Sequence, residues 1–176
     1  RVTIGVHADF LFLLLLFLFP ITVVAQSLLI YEDSVNRFEI GVPNTWRYGV
    51  PKDKSTSFRA VRRATDSTDV VREQFTVNVL YDKPADLETS YKEFMGYISK
   101  APGFRILEQG EKEIHGRKYK WLVETHKYNP GNEDVINYVY FANSGKSLLI
   151  LTMVTSMQAL PKYRELYDKI ASTIKY

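Results

Sequence analysis

RKYKWLVETHKY at residues 117–128, DVINYVYFA at 134–142 and KSLLILTMV at 146–154 read as three consecutive strands joined by two short turns. The rest of the chain is placed by how it covers them. In the first segment Tyr119, Trp121, Val123 and Thr125 fall on one side, and Lys118, Lys120, Glu124 and His126 on the other, which is the alternation of a half-buried strand. A slip of one residue would bury the charges, so the register is specified. Trp121 is expected in the sheet core, where Trp121→Ala would cost about 3–5 kcal/mol. Glu124 and His126 are expected on the exposed face. The segment from Leu148 to Met153 is apolar on both faces and is expected in the middle of a sheet covered on both sides. Asn129-Pro130-Gly131-Asn132 and Asn143-Ser144-Gly145 are the turn signals between the three strands.

Working outward, residues 161–174 carry Tyr163, Tyr167, Ile170 and Ile174 at helical spacing, with Pro161 suited to a first turn. Upstream, residues 104–113 read as a strand with Phe104, Ile106 and Leu107 as its inward candidates, and His115-Gly116 turns the chain into the central stretch. Residues 86–100 form a helix capped by Asp86, with Leu87, Tyr91, Phe94 and Ile98 as its apolar stripe. Residues 37–42, 58–64 and 73–81 are three further strands. Pro43-Asn44-Thr45 stops the first of them and delivers Trp46, which is expected to plug the end of the core. Residues 31–36 read as a polar lead and 48–57 as a loop. The order is three strands, helix, four strands, helix. That predicts an α+β domain: a mainly antiparallel six- to seven-stranded sheet covered by two helices, an α/β/α sandwich, over residues 26–176.

Residues 1–25 differ in kind, since FLFLLLLFLF at 10–19 is an unbroken apolar run followed by Pro20 and small Ala25. This is the layout of a secretory signal peptide, too short for the roughly 20 apolar residues of a spanning helix. Cleavage after Ala25 would leave Gln26 as the mature start. A periplasmic or secreted location is therefore expected, with membrane attachment only if this segment is retained. The chain has no cysteine, which removes disulfides, thiolate metal sites, a cysteine nucleophile and a lipid-attachment cysteine. Its 23 basic and 20 acidic residues are interspersed, so nucleic acid is not implied.

Taken together, the strand, Pro and Trp of residues 38–46 (FEIGVPNTW), the single helix after the third strand, the long meander into Leu148–Val154 and the closing helix with Ile170 and Ile174 resemble the PsbP-like superfamily. The resemblance spans the chain from about Arg37 onward. It implies an antiparallel sheet between helices and a binding or scaffolding character. The superfamily includes a nuclear Ran-binding protein, thylakoid lumen assembly factors and exported bacterial proteins. No catalytic triad comes with it, and its plant-type metal and photosystem contacts depend on an N-terminal extension not matched in this sequence. No site residues are transferred.

The residues themselves offer little chemistry. His115 and His126 stand eleven residues apart along one strand and its turn, whereas zinc draws three or four converging ligands. Asp66 and Asp69 lack a calcium-loop pattern. Gly145-Lys146-Ser147 mimics the end of a phosphate loop, but Tyr140 stands where its first Gly belongs and a strand follows. No Gly-x-Ser-x-Gly elbow occurs. No catalytic, cofactor-binding or metal-ligating residue is therefore assigned, and no cofactor is expected. Two basic groups stand out: Arg59, Arg62 and Arg63, and Lys112, Arg117, Lys118 and Lys120. Where such groups converge they would meet an acidic partner or anionic headgroups. The expected function is an exported, non-enzymatic accessory or binding domain with a protein or small-molecule partner. The alternative is a carrier of a small apolar ligand or peptide in a groove lined by Tyr91, Tyr97, Tyr119, Tyr138, Tyr140, Tyr163 and Tyr167. A working surface is expected where the loops around Trp46 and Pro51, or the first helix, meet the sheet.

Overall fold

In the computed structural model, residues 26–53, 55–65, 71–84, 86–128 and 133–176 are described. Residues 1–25, expected to be a signal peptide, the Asp66–Asp69 stretch and the Asn129–Asn132 turn signal lie outside them. The central meander follows the sequence closely. Strands β7 (Arg117–Tyr128), β8 (Glu133–Ser144) and β9 (Ser147–Ser156) pair antiparallel in turn, with Trp121 opposite Tyr140 and Tyr140 opposite Leu151. β8 and β9 join through Gly145-Lys146, where Gly145 has φ 58°, as a tight hairpin turn of this hand demands. β6 (Arg105–Ile114) enters β7 through His115-Gly116, both at positive φ. β9 is indeed central, the fourth of the seven strands in the main sheet, with β8, β7 and β6 following it to one edge.

Both faces of this sheet are packed. On one, Tyr119, Tyr138, Tyr140, Leu149, Leu151 and Met153 are buried with Tyr167, Ile170 and Ala171 of helix α2 (Leu160–Ser172). On the other, Leu122, Val139, Phe141, Leu148 and Ile150 lie under helix α1 (Leu87–Ile98). The Phe94 and Tyr91 rings meet Phe141 edge-on, with centroids 4.8 and 5.5 Å away. Asp86 caps α1, accepting hydrogen bonds from the Glu88 and Thr89 amides at 3.2 and 2.9 Å. The result is the expected α+β sandwich.

Two strands were not expected. β1 (Leu28–Asp33) pairs with β2 (Phe38–Pro43) as a separate two-stranded sheet, so β2 is not in the main sheet. Its seventh strand is instead β3 (Arg47–Gly49), which edges β4 (Phe58–Val61), itself beside β5 (Gln74–Leu80). The β1–β2 connection is held by Asp33, whose carboxylate accepts from the Val35 and Asn36 amides at 2.9 and 2.8 Å, and Arg37 closes it at φ 58°. Phe38, Ile40 and Val42 of β2 point into the α2-side core. Trp46 plugs that core as expected, buried beside Phe75.

Three side-chain expectations are corrected. Glu124 is buried, 1% exposed, because its carboxylate has hydrogen-bonding neighbours in Asn137 and His126 that satisfy it away from water. Trp121 is only half-buried; its indole covers Gly110 opposite, where an added Cβ would lie 3.1 Å from the ring nitrogen. Ile106 and Leu107 are exposed, since β6 is an edge strand whose register breaks between Ile106 and Glu108.

Candidate functional site

Beyond β3 the chain runs over the end of the main sheet through Val50, Pro51, Lys52 and Asp53, and returns at Thr56 and Ser57 into β4. The β1–β2 turn stands opposite. Between them lies a cavity of about 630 Å³, lined by Tyr31 and Val79 below, by residues 32–36 on one side and 50–53 and 56–57 on the other, and by Tyr81 at its edge. This is where the loop around Pro51 meets the sheet.

Its walls are fixed by hydrogen bonds from both sides. The Ser57 amide donates to Val77 O at 3.0 Å, and the Ser57 hydroxyl accepts from the Val79 amide at 3.1 Å, pinning the returning loop to β5. The Tyr81 hydroxyl donates to Asn36 Oδ1 at 3.1 Å, tying the far wall to the chain just after residue 80. Tyr31 stacks on Phe58 with centroids 4.1 Å apart. Burial raises the Tyr31 phenol pKa, and the nearby Asp33 charge adds to the rise. Asp53 is held below the usual carboxylate range, first by the hydrogen bond from the Ser55 hydroxyl at 2.7 Å and then by Thr56 and the Arg59 charge. The tyrosine is thus a neutral floor and Asp53 an anion at neutral pH.

The rim is apolar despite facing water. Val35 is 82% exposed, Val50 66% and Tyr81 57%. Three such side chains around one concavity make a surface suited to contact with another molecule. Glu32, Asp33 and Asp53 against Lys52 give it a slight negative balance.

The other sequence candidates fall elsewhere. Tyr119, Tyr138, Tyr140 and Tyr167 are buried on the α2 side, whereas Tyr91 and Tyr97 belong to α1 on the opposite face. These tyrosines therefore do not line one groove: those on the α2 side fill the core with Tyr163 packed beside Tyr167, Tyr91 lies against Phe141 under α1, and Tyr97 faces water. His115 sits in the β6–β7 turn, and His126, at the far end of β7, places Nδ1 3.0 and 3.2 Å from the Glu124 oxygens. Asn137 donates to Glu124 Oε1 at 2.5 Å, completing a Glu-His-Asn cluster that the alternation of β7 gave no reason to expect. Gly145 and Lys146 form a hairpin turn between strands, not a phosphate loop. Among the described residues no group of three or more His, Asp or Glu is placed to hold a metal ion.

The two basic groups have different fates. In the second, Lys118 pairs with Glu111 at 2.7 Å, Lys120 bridges Glu88 and Glu111, and Arg117 donates to Asn143 O at 2.5 Å. In the first, Arg59 leaves to lie 4.0 Å from Asp53, while Arg62 and Arg63 line a small pocket with Arg47 and Arg72. The 630 Å³ cleft was legible only as a loop beside a sheet end; its turn residues Asp33 and Asn36 were the available signal.

No protein-family model matches the chain, and no curated protein matches it in sequence. Solved structures do match in shape. Cyanobacterial PsbP (CyanoP) from Synechocystis aligns with a TM-score of 0.60 at 15% identity, covering 88% of this chain and 95% of that one. LpqN, involved in cell envelope biogenesis of Mycobacterium tuberculosis, aligns at 0.57 and 13% identity over 85% and 90% of the two chains. The Saccharomyces cerevisiae Ran-binding protein Mog1p aligns at 0.56 and 10% identity over 86% and 96%. The chain has the PsbP-like fold.

Proposed function

We propose that this chain is an exported accessory domain that works by binding, and that it holds a segment of a partner protein in the cleft between the β1–β2 turn and residues 50–57. The observation that carries this reading is the exposed apolar rim of Val35, Val50 and Tyr81 around a cavity of about 630 Å³. A partner segment with apolar anchors and a basic residue matches both the rim and the acidic balance of the walls. Export is supported by the apolar run at residues 10–19, with Gln26 as the mature start. Of the proteins that share the fold, one is described as a Ran-binding protein, consistent with a scaffold that recognises a partner, and one as involved in cell envelope biogenesis, consistent with export.

The test is made in the native host. Intact mass of the exported product should match a chain beginning at Gln26. Proteins co-purifying with it should be lost in a Val35→Glu/Val50→Glu variant whose melting temperature is unchanged. Equal recovery of the same proteins with the variant, or an exported product that retains residues 1–25, would contradict the reading.

A further inference from the structure

At the other end of β3 from the cleft, Arg47, Val61, Arg62, Arg63, Ala64 and Arg72 line a pocket of about 280 Å³. Four of these six residues are arginines, and they are brought together by strand pairing rather than by sequence proximity alone. Arg47 opens β3 opposite Val61, the last residue of β4. The Arg62 amide then donates to Glu73 O at 2.9 Å, which carries the β4–β5 pairing one step further and sets Arg63 against Arg72.

The four do not play the same part. Arg62 is an anchor: its Nε lies 2.5 Å from an oxygen of the buried Glu73 carboxylate, and its Nη1 donates to Arg63 O at 2.9 Å. Glu73 is turned inward, accepting also from the Thr155 hydroxyl at 3.1 Å, so it does not line the pocket. Arg47, Arg63 and Arg72 are exposed. Among the described lining residues there is no carboxylate. Like charges set across a strand pair repel one another. The fold gathers these arginines nonetheless, whereas Lys118 and Lys120 on β7 each sit beside a glutamate.

We infer that this pocket binds a phosphate group. Guanidinium forks present paired N–H donors matched to tetrahedral oxyanions, and three of them on one small cavity suit a dianion better than a single carboxylate. The volume accommodates a phosphate with a short substituent and no folded segment. The phosphate is carried either by a small soluble phosphomonoester or by an anionic phospholipid headgroup, with the same contacts in both cases. The site is independent of the cleft and of any partner bound there.

The exported chain is titrated with inorganic phosphate, followed by calorimetry, and is co-sedimented with vesicles of phosphatidylcholine alone or containing phosphatidic acid. Saturable phosphate binding that weakens with added salt is expected. Arg47→Ala/Arg63→Ala should weaken it at least about tenfold, and Arg59→Ala, at the Asp53 pair, should change it by less than about twofold. Vesicle binding that depends on phosphatidic acid assigns a headgroup; phosphate binding without it assigns a soluble ligand. Arg62 is left intact because it holds Glu73, and the melting temperature of each variant reports folding. Binding unchanged in the double variant, equal loss in Arg59→Ala, or no binding to either probe would overturn the inference.

Discussion

The meander β7–β8–β9 and the N-terminal edge β1–β4 are both built of antiparallel strands and are used differently. In the meander, apolar side chains face cores on both sides and eight successive positions of β8 are buried. At the edge, strands are short, one pair leaves the main sheet, and Val35, Val50 and Tyr81 face water around a cavity. The meander holds the fold and the edge presents surfaces, so stability and binding should separate under mutation.

The largest effect is expected at Phe141, fully buried beneath Tyr91 and Phe94. Phe141→Ala should cost about 3–5 kcal/mol in denaturant unfolding, and a loss below about 1 kcal/mol would mean that α1 does not seal that face. Asp33→Ala at the edge should cost less, about 1–2 kcal/mol, because it frees two turn amides without opening the core. An effect equal to that of Phe141→Ala would place the edge turn on the same footing as the meander. The smallest effect follows pH. Because the folded pKa of Asp53 is depressed, its hold on Ser55 and Thr56 is fully present above the unfolded carboxylate range and is lost as pH falls through the folded value. Amide resonances of residues 55–56 followed by NMR should therefore stay unchanged down to mildly acidic pH and shift only below it; a midpoint near neutrality would contradict this.

The same contrast explains what was legible in the sequence. The meander could be read because alternation and an apolar run have one physical solution, a sheet packed on both faces. Glu124 broke that reading, since a carboxylate can be buried when Asn137 and His126 stand beside it, and those neighbours come from tertiary pairing. β1 was hidden because LLIYED has no alternation and acquires its strand character from β2, and β3 because three residues carry no period. The cleft and the arginine pocket share that origin. Arg47 and Arg72 stand 25 positions apart in sequence and meet only once β3, β4 and β5 are paired.

The proposed function requires the edge, and not the helical face, to meet the partner. Val35 in the cleft rim and Tyr97 on α1 are exposed to nearly the same degree, 82% and 77%, so a photoreactive residue at each position samples the surroundings equally well. Crosslinking in the native host should give a discrete adduct of defined mass from position 35 and none from position 97. An adduct from 97 in place of 35, or the same adducts from both, would contradict the account.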